Sequence, residues 1–362
     1  MAKAKYLSIG SIAAYSGKSA TILGLSDRLQ EKGIAIGYCK PLGTELAGES
    51  SKANEEDVRF IAETLKLSSQ HLKSPLLSLD PGMMTTHLQQ DGVVDYSSSL
   101  IEHLQGLERE LILLEGPRTL ADGTSLGLSI GQMSRAVEAS ILLVARYTSS
   151  LIADELLAAK QQFGDRLIGV TLSDIVPEKL EEVQSAIAPF LERQGIPVLG
   201  MFPRNNLLNS VSVRELTRKL SAKVLCRRDR LDLMVEGLAI GAMNVNSALE
   251  YFRKGRNLAV VTGSDRAELQ LAALETSTNC LILTGHNPPP DYILSRAEDL
   301  EIPILAVDLD TLTTVEIADR AFGSVRIQEP IKVECVRDLM REHFDLERLL
   351  AQLGLEPAYS GT

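Results

Sequence analysis

Short apolar runs alternate with stretches of helical period along most of this chain, the pattern of a mostly parallel sheet with helices on both faces. The first run, Tyr6-Leu-Ser-Ile-Gly10, ends in a turn of small residues. A helical pattern then covers 18–32 and stops at Gly33. Residues 34–40 read as the second strand, closed by Lys40-Pro41-Leu42-Gly43. A polar loop over 44–53 precedes a helix over 55–65, and a further helix is expected over 95–107. Between them, 75–93 carries Pro, Gly and Met with little periodicity and reads as a mobile loop or lid. Leu111-Ile-Leu-Leu-Glu115-Gly116-Pro117 is a buried strand that delivers an acid at its C-terminal end. Strands over 140–145, 167–172 and 197–202 alternate with helices over 152–163, 178–194 and 213–220. The first domain is therefore expected over 1–222.

Residues 223–250 break the rhythm and read as a linker and entry segment, with Cys226-Arg-Arg-Asp-Arg230 as a solvated charged run. A second, smaller α/β cycle is expected over 251–335. Its strands fall at 257–261, 280–284 and 303–307, and its helices end near 276, 300 and 320. A terminal helix over 336–353 and a frayed tail complete the chain.

At 362 residues there is room for two ordinary domains. A hydrophobic share of 44% against 23% charged residues is that of a folded, soluble chain. The net charge of −11 and pI near 5.1 argue against nucleic acid or an anionic membrane as partner. No apolar run approaches the ~20 residues that span a bilayer, and the chain goes directly into its first strand, which leaves no room for a signal peptide. Cys39, Cys226, Cys280 and Cys335 lie far apart, and the five histidines are scattered. Neither set has metal or redox spacing, so incidental thiols in a reducing cytosol, and a cytoplasmic protein, are expected.

The candidate chemistry starts at Gly10-x6-Gly17-Lys18-Ser19. A strand, a small-residue turn and a helix start make a phosphate cradle: backbone N–H groups and the helix N-terminus face an anion. Ser16, Gly17, Lys18, Ser19 and Ala20 would line it, with Lys18 on the terminal phosphates and the Ser19 hydroxyl on magnesium. The spacing departs from the usual phosphate loop, which has glycine where this chain has Ile12. A chance Gly-Lys-Ser at a helix start is the competing reading, and the position directly after the first strand decides against it. Glu115, at a strand end, fits a metal-side acid; a helix-capping or surface carboxylate is the alternative. Arg118 is the extra basic residue expected near the phosphates.

Tyr15-Ser16-Gly17-Lys18-Ser19, Lys40-Pro41, Glu115-Gly116-Pro117 and Gly127-Leu128-Ser129 together resemble the dethiobiotin-synthetase-like P-loop domain that opens long bacterial phosphate acetyltransferases. Thr262-Gly263-Ser264-Asp265-Arg266, with 281–284 and Asp310-Thr311-Leu312-Thr313-Thr314, resembles the DRTGG domain that follows it there. The resemblance implies a P-loop NTPase-type α/β fold, ATP or another purine nucleotide with Mg, and a homo-oligomer. It implies a phosphate-binding role for Lys18, a place toward the substrate for Lys40, both as catalytic candidates, and metal-side roles for Ser19, Asp57 and Glu115. It also implies that Ser173 stands near the base pocket, where relatives often carry asparagine. Ile12-Ala13 stands where relatives often carry an acid, which implies binding with weak turnover.

The catalytic domain that follows in those acetyltransferases is expected to be missing, leaving a nucleotide-binding regulatory protein. The alternatives are an ATP-dependent carboxylate-activating ligase and a scaffold for a partner enzyme. Gly263, Ser264, Asp265 and Arg266 form a candidate second ligand site at a strand-to-helix turn; against it, Asp265 would simply cap the helix and Arg266 be solvated.

Overall fold

The computed structural model describes residues 5–44, 52–89, 95–285, 287–323 and 327–356. Most of the polar loop expected over 44–53, and residues 90–94 of the expected lid, lie outside these. The described residues form two compact units. One runs up to Arg204 and resumes at Ile327; the other lies between.

The first unit is built on a parallel sheet of seven strands. They are β1 (Lys5–Ser11), β2 (Ile36–Cys39), β4 (Leu72–Lys73), β6 (Leu111–Glu115), β7 (Ser140–Arg146), β8 (Leu167–Ile175) and β9 (Val198–Pro203). Two further short strands, β3 (Leu42–Thr44) and β5 (Leu77–Leu79), pair with each other outside it. The order is β4-β2-β6-β1-β7-β8-β9. Helices cover both faces, and the central strand β6 is accordingly apolar on both until its last residue: Leu111, Ile112, Leu113 and Leu114 are all fully buried. β2, β4 and β6 lie on one side of β1 and β7, β8 and β9 follow in order on the other, which makes the C-terminal end of β1 the point where the winding reverses. Ligands of open α/β sheets sit at such points.

Within the expected lid, the described residues 75–89 are more regular than their composition suggests. They hold β5 and a helix over Pro81–Leu88. Asp80 caps that helix by accepting from the N–H groups of Gly82 and Met83, and Pro81 occupies its first turn, where no donor is needed.

Two domain boundaries are corrected. The first unit ends at Arg204 rather than near 222, because Val211, Val213, Leu216 and Leu220 are buried in the core of the second unit. Nor is 223–250 a linker. It supplies β11 (Lys223–Cys226), β13 (Gly237–Gly241) and a helix over Val245–Phe252. The charged run between them is paired: Arg227 with Asp229 and Glu301, and Arg230 with Glu301. With β14 (Leu258–Gly263), β15 (Thr278–Thr284) and β16 (Ile304–Val307) these strands make a sheet ordered β11-β16-β15-β14-β13. All its pairings are parallel except that of the edge strand β11. A two-stranded ribbon of β10 (Val211–Ser212) and β12 (Met234–Val235) lies beside it.

The terminal helix is also two helices, Pro330–His343 and Leu346–Leu353, and both belong to the first unit. The break is built by Phe344, which bridges to Gly200, and by Asp345, whose N–H donates to the Leu199 carbonyl and whose carboxylate caps the second helix. Pro330–His343 lies along the first helix of the chain, Lys18–Glu31. Gly24 makes room for it: a Cβ there would stand 2.9 Å from the Met340 Cβ and 3.1 Å from Val336. Arg337 pairs with Asp27 at 3.1 Å and Arg341 with Glu31 at 2.8 Å.

Candidate functional site

The turn after β1 is held from within. Ser16 Oγ donates to the Ala13 carbonyl at 2.7 Å, and Gly17 enters the helix in the left-handed region with φ 98°, which a side chain would oppose. Gly10 is small for a different reason, since a Cβ there would displace the terminal methyl of Ile130 beneath the turn. The helix over Lys18–Glu31 starts without a side-chain cap and without an acid in its first turn. Its first intrahelical bond is from the Thr21 N–H to the Gly17 carbonyl at 2.9 Å. The N–H groups of Lys18, Ser19 and Ala20 therefore find no carbonyl within the helix, the condition for anion binding at a helix start.

An acidic corner adjoins this turn. Glu115, at the end of β6, is nearly fully buried. Ser19 Oγ donates to its Oε1 at 3.1 Å, and the buried Tyr38 hydroxyl donates to its Oε2 at 2.6 Å. Lys40 Nζ stands 4.0 Å from Glu115 Oε1 and 3.6 Å from Asp57 Oδ2. Thus Ser19, Lys40, Asp57 and Glu115, which span almost a hundred positions in sequence, converge. Burial, followed by the negative Glu115, pushes the Tyr38 hydroxyl well above its ordinary range, so it stays a donor. Tyr38→Phe leaves one oxygen of a buried carboxylate without this hydroxyl. It is expected to cost about 1–3 kcal/mol in a urea melt, whereas a surface Tyr→Phe would be silent.

Lys18 Nζ donates to Ser11 Oγ at 2.9 Å, and Ser11 Oγ donates to the Arg118 carbonyl at 2.9 Å. Burial is the main reason that the Lys18 ammonium is lowered from 10.5 to about 8; Lys40 and Arg118 add to it, against the opposing pull of Glu115 and Asp122. Arg118 lies beside the turn as expected, but its guanidinium is tied to Asp122 at 3.3 Å. Ser11, Tyr38 and Asp122 escape sequence reading. The first two are an ordinary strand serine and a core aromatic until the fold brings them to Lys18 and Glu115. Asp122 acts on Lys18 electrostatically from a different loop, with its own carboxylate tied to Arg118. Gly127-Leu128-Ser129 turns out to be structural: Ser129 and Gln132 form a capping box on the helix over Ile130–Ala136.

At the end of β8, Ser173 Oγ donates to the Ser16 carbonyl at 2.8 Å, which joins this strand to the turn. Asp174 follows in the left-handed region, φ 58°, at an irregularity in the β8–β9 pairing. Arg146 from the end of β7 and Arg204 from just beyond β9 both bond its carboxylate, at 2.8 and 2.7 Å. Burial alone would raise Asp174, but the bonds from Arg204 and Arg146 outweigh it and hold it below the ordinary carboxylate range. Three strand ends are thereby clamped beside the turn by residues that sequence spacing does not connect.

In the second unit, Gly263 ends β14, Ser264 is buried, and Asp265 and Arg266 are exposed. Asp265 does not cap the following helix, Ala267–Leu274. The Ser264 N–H is bonded to the Thr284 carbonyl, the Arg266 N–H to the Gly263 carbonyl, and the Arg266 guanidinium to the Met243 carbonyl. Three of the donors at this turn, the Ser264 and Arg266 N–H groups and the Arg266 guanidinium, are thus engaged by the protein itself.

A family model described as an AAA domain matches residues 5–212, more than half of the chain. The chain belongs to that family. The AAA domain is of the dethiobiotin-synthetase-like P-loop kind, and a DRTGG domain follows it over 215–321. The phosphate acetyltransferase of Synechocystis sp. is 24% identical over 362 residues, covering 94% of this chain and 50% of its own length. That of Nitratidesulfovibrio vulgaris is 21% identical over 360 residues, covering 93% and 50%. An uncharacterised Bacillus subtilis protein, YtoI, is 29% identical over 141 residues, covering 39% of this chain and 31% of its own. The chain thus spans about half the length of the phosphate acetyltransferases that it matches. Within the AAA domain, the resemblance and the geometry single out one corner, around Lys18, Ser19 and Glu115.

Proposed function

We propose that the AAA domain binds a purine nucleoside triphosphate, ATP in the first place, with magnesium, and that its role is regulatory with little or no turnover. The observation that carries this reading is the 3.1 Å bond from Ser19 Oγ, at an uncapped helix start, to Glu115 at the end of the neighbouring strand. A hydroxyl, the Glu115 carboxylate and the Asp57 carboxylate form an all-oxygen set of the kind that suits a hard divalent cation. Magnesium bound there would neutralise phosphate charge. Lys18 would leave Ser11 for the phosphates, the N–H groups of Lys18, Ser19 and Ala20 would hold their oxygens, and Lys40 would balance the two carboxylates. Weak turnover is supported by the turn itself: Ile12 packs its side chain toward the core cluster under β7 and β8, where it offers no group for proton transfer or water activation. The regulatory role rests on the DRTGG domain and on the relatives, and its proposed target is an acetyltransferase of the kind for which they are named. We also propose that the DRTGG unit serves as the assembly or sensing module of a homo-oligomer.

The test is calorimetry of the full chain with ATP, with and without magnesium, across pH. One magnesium-dependent site per chain is expected; no binding at millimolar nucleotide would end the proposal. The pH dependence has a definite sign. Between pH about 8 and 10.5 the unfolded chain keeps a proton that folded Lys18 has released, so stability owed to this group rises with pH across that window. Binding runs the opposite way, because phosphate requires the ammonium. Affinity is expected to fall as pH climbs above about 8, and binding there should take up a proton, visible as a dependence of the heat on buffer ionisation enthalpy.

A further inference from the structure

Gln328 lies outside the stretch that the AAA model matches, beyond the DRTGG domain, yet it belongs to the first unit. Its Nε2 donates to Asp57 Oδ1 at 3.3 Å. The other oxygen of that carboxylate, Oδ2, faces Lys40, which in turn faces Glu115. One oxygen of Asp57 thus accepts from a neutral amide, and the other faces Lys40 at the acidic corner.

The position of Gln328 follows from the helix it precedes. Val336 and Met340 face Gly24, Arg337 faces Asp27, and Arg341 faces Glu31. Numbers rise together on the two helices, so they run parallel, and the start of Pro330–His343 lies at the same end as the start of Lys18–Glu31. That is the end carrying the phosphate turn. The first turn of the later helix is anchored by Lys332, buried and paired with Glu329 at 3.3 Å. Chain delivered to this corner by a docked helix has little freedom to wander.

We propose that Gln328 is a positioning residue for the metal-side carboxylate, so that the segment following the DRTGG domain completes the cation site of the AAA domain. This rests on the reading of Asp57 proposed above. An amide suits the role because it fixes the carboxylate's orientation without cancelling the charge that attracts a cation, as a lysine at the same place would. Outer partners of ligating carboxylates typically change metal affinity by 10–100-fold when removed.

The experiment uses the full chain and titrates magnesium at fixed ATP, reading nucleotide binding by calorimetry. Gln328→Ala is expected to raise the half-saturating magnesium concentration about tenfold, with ATP binding in EDTA and the melting temperature unchanged, since Gln328 is exposed. The same substitution made on Asp57→Ala is expected to change nothing further. An unchanged magnesium midpoint in Gln328→Ala overturns the proposal, as does an effect that persists undiminished in the Asp57→Ala background. Wild-type protein that binds no nucleotide, or binds it without regard to magnesium, overturns the underlying reading and this proposal with it. That result is distinguishable, because it appears before any variant is made.

Discussion

Lys18→Met should raise the ATP dissociation constant about 100-fold without loss of stability. Charge-assisted hydrogen bonds contribute about 1.5–3 kcal/mol each, and an ammonium engaging two phosphate groups makes about 3 kcal/mol, or two decades in Kd, a reasonable expectation. Stability should not fall, because burial already disfavours the Lys18 charge, which is why its pKa is lowered. Methionine keeps the length and removes the charge. Calorimetry and a urea melt on the same preparation separate the two effects. A variant that binds normally would show that the turn after β1 is not the phosphate site. A variant that melts early would show that the bond to Ser11 matters for folding.

The second large effect concerns the far side of the same helix. Gly24→Val should destabilise the protein by about 2–3 kcal/mol, because overpacking of a tight contact typically costs 1–3 kcal/mol. The atom in the way is the Met340 Cβ, fixed to backbone, with Val336 close behind. Hydrogen exchange should show residues 327–356 losing protection first. Gly24→Ala is the sharper control. Its gain in helix propensity, about 1 kcal/mol, offsets part of the same clash, so it should lie close to wild type. Equal and full stability in both variants would mean that the two helices do not pack as described.

How far the sequence could be read depends on whether the relevant residues are neighbours. Gly17-Lys18-Ser19 is legible because a phosphate turn is local: strand end, loop and helix start are consecutive. Glu115 is legible as an acid ending an apolar run. The partners that give these residues their chemistry are not, since Tyr38, Ser11 and Asp122 meet them only through strand order. The clamp of Arg146 and Arg204 on Asp174 is hidden for the same reason, as it joins three strand ends. In the second unit the early strands β11 and β13 are short and are separated by a charged run, so the apolar rhythm is too weak to announce them. The turn at Asp265 shows the limit of cap rules: the residue type is right, and the carboxylate does not bond the helix. The return of the last two helices to the first unit could not be read from local pattern at all. The apolar stripe shared by Leu346, Leu349, Leu350 and Leu353 says that they pack, and nothing in it says where.

That return bears on the order in which the molecule can assemble. A ribosome delivers residues 205–326 before 327–356. The second unit therefore has all its strands in hand while the first still lacks the helices that cover Gly24 and bridge to Gly200. The unit begun first is closed last. During that interval the apolar ground beneath the missing helices stays open to chaperones and proteases, a hazard typical of incomplete domains during synthesis. Protease resistance during synthesis would thus wait on residues 327–356, far in sequence from the turn after β1 whose helix they cover.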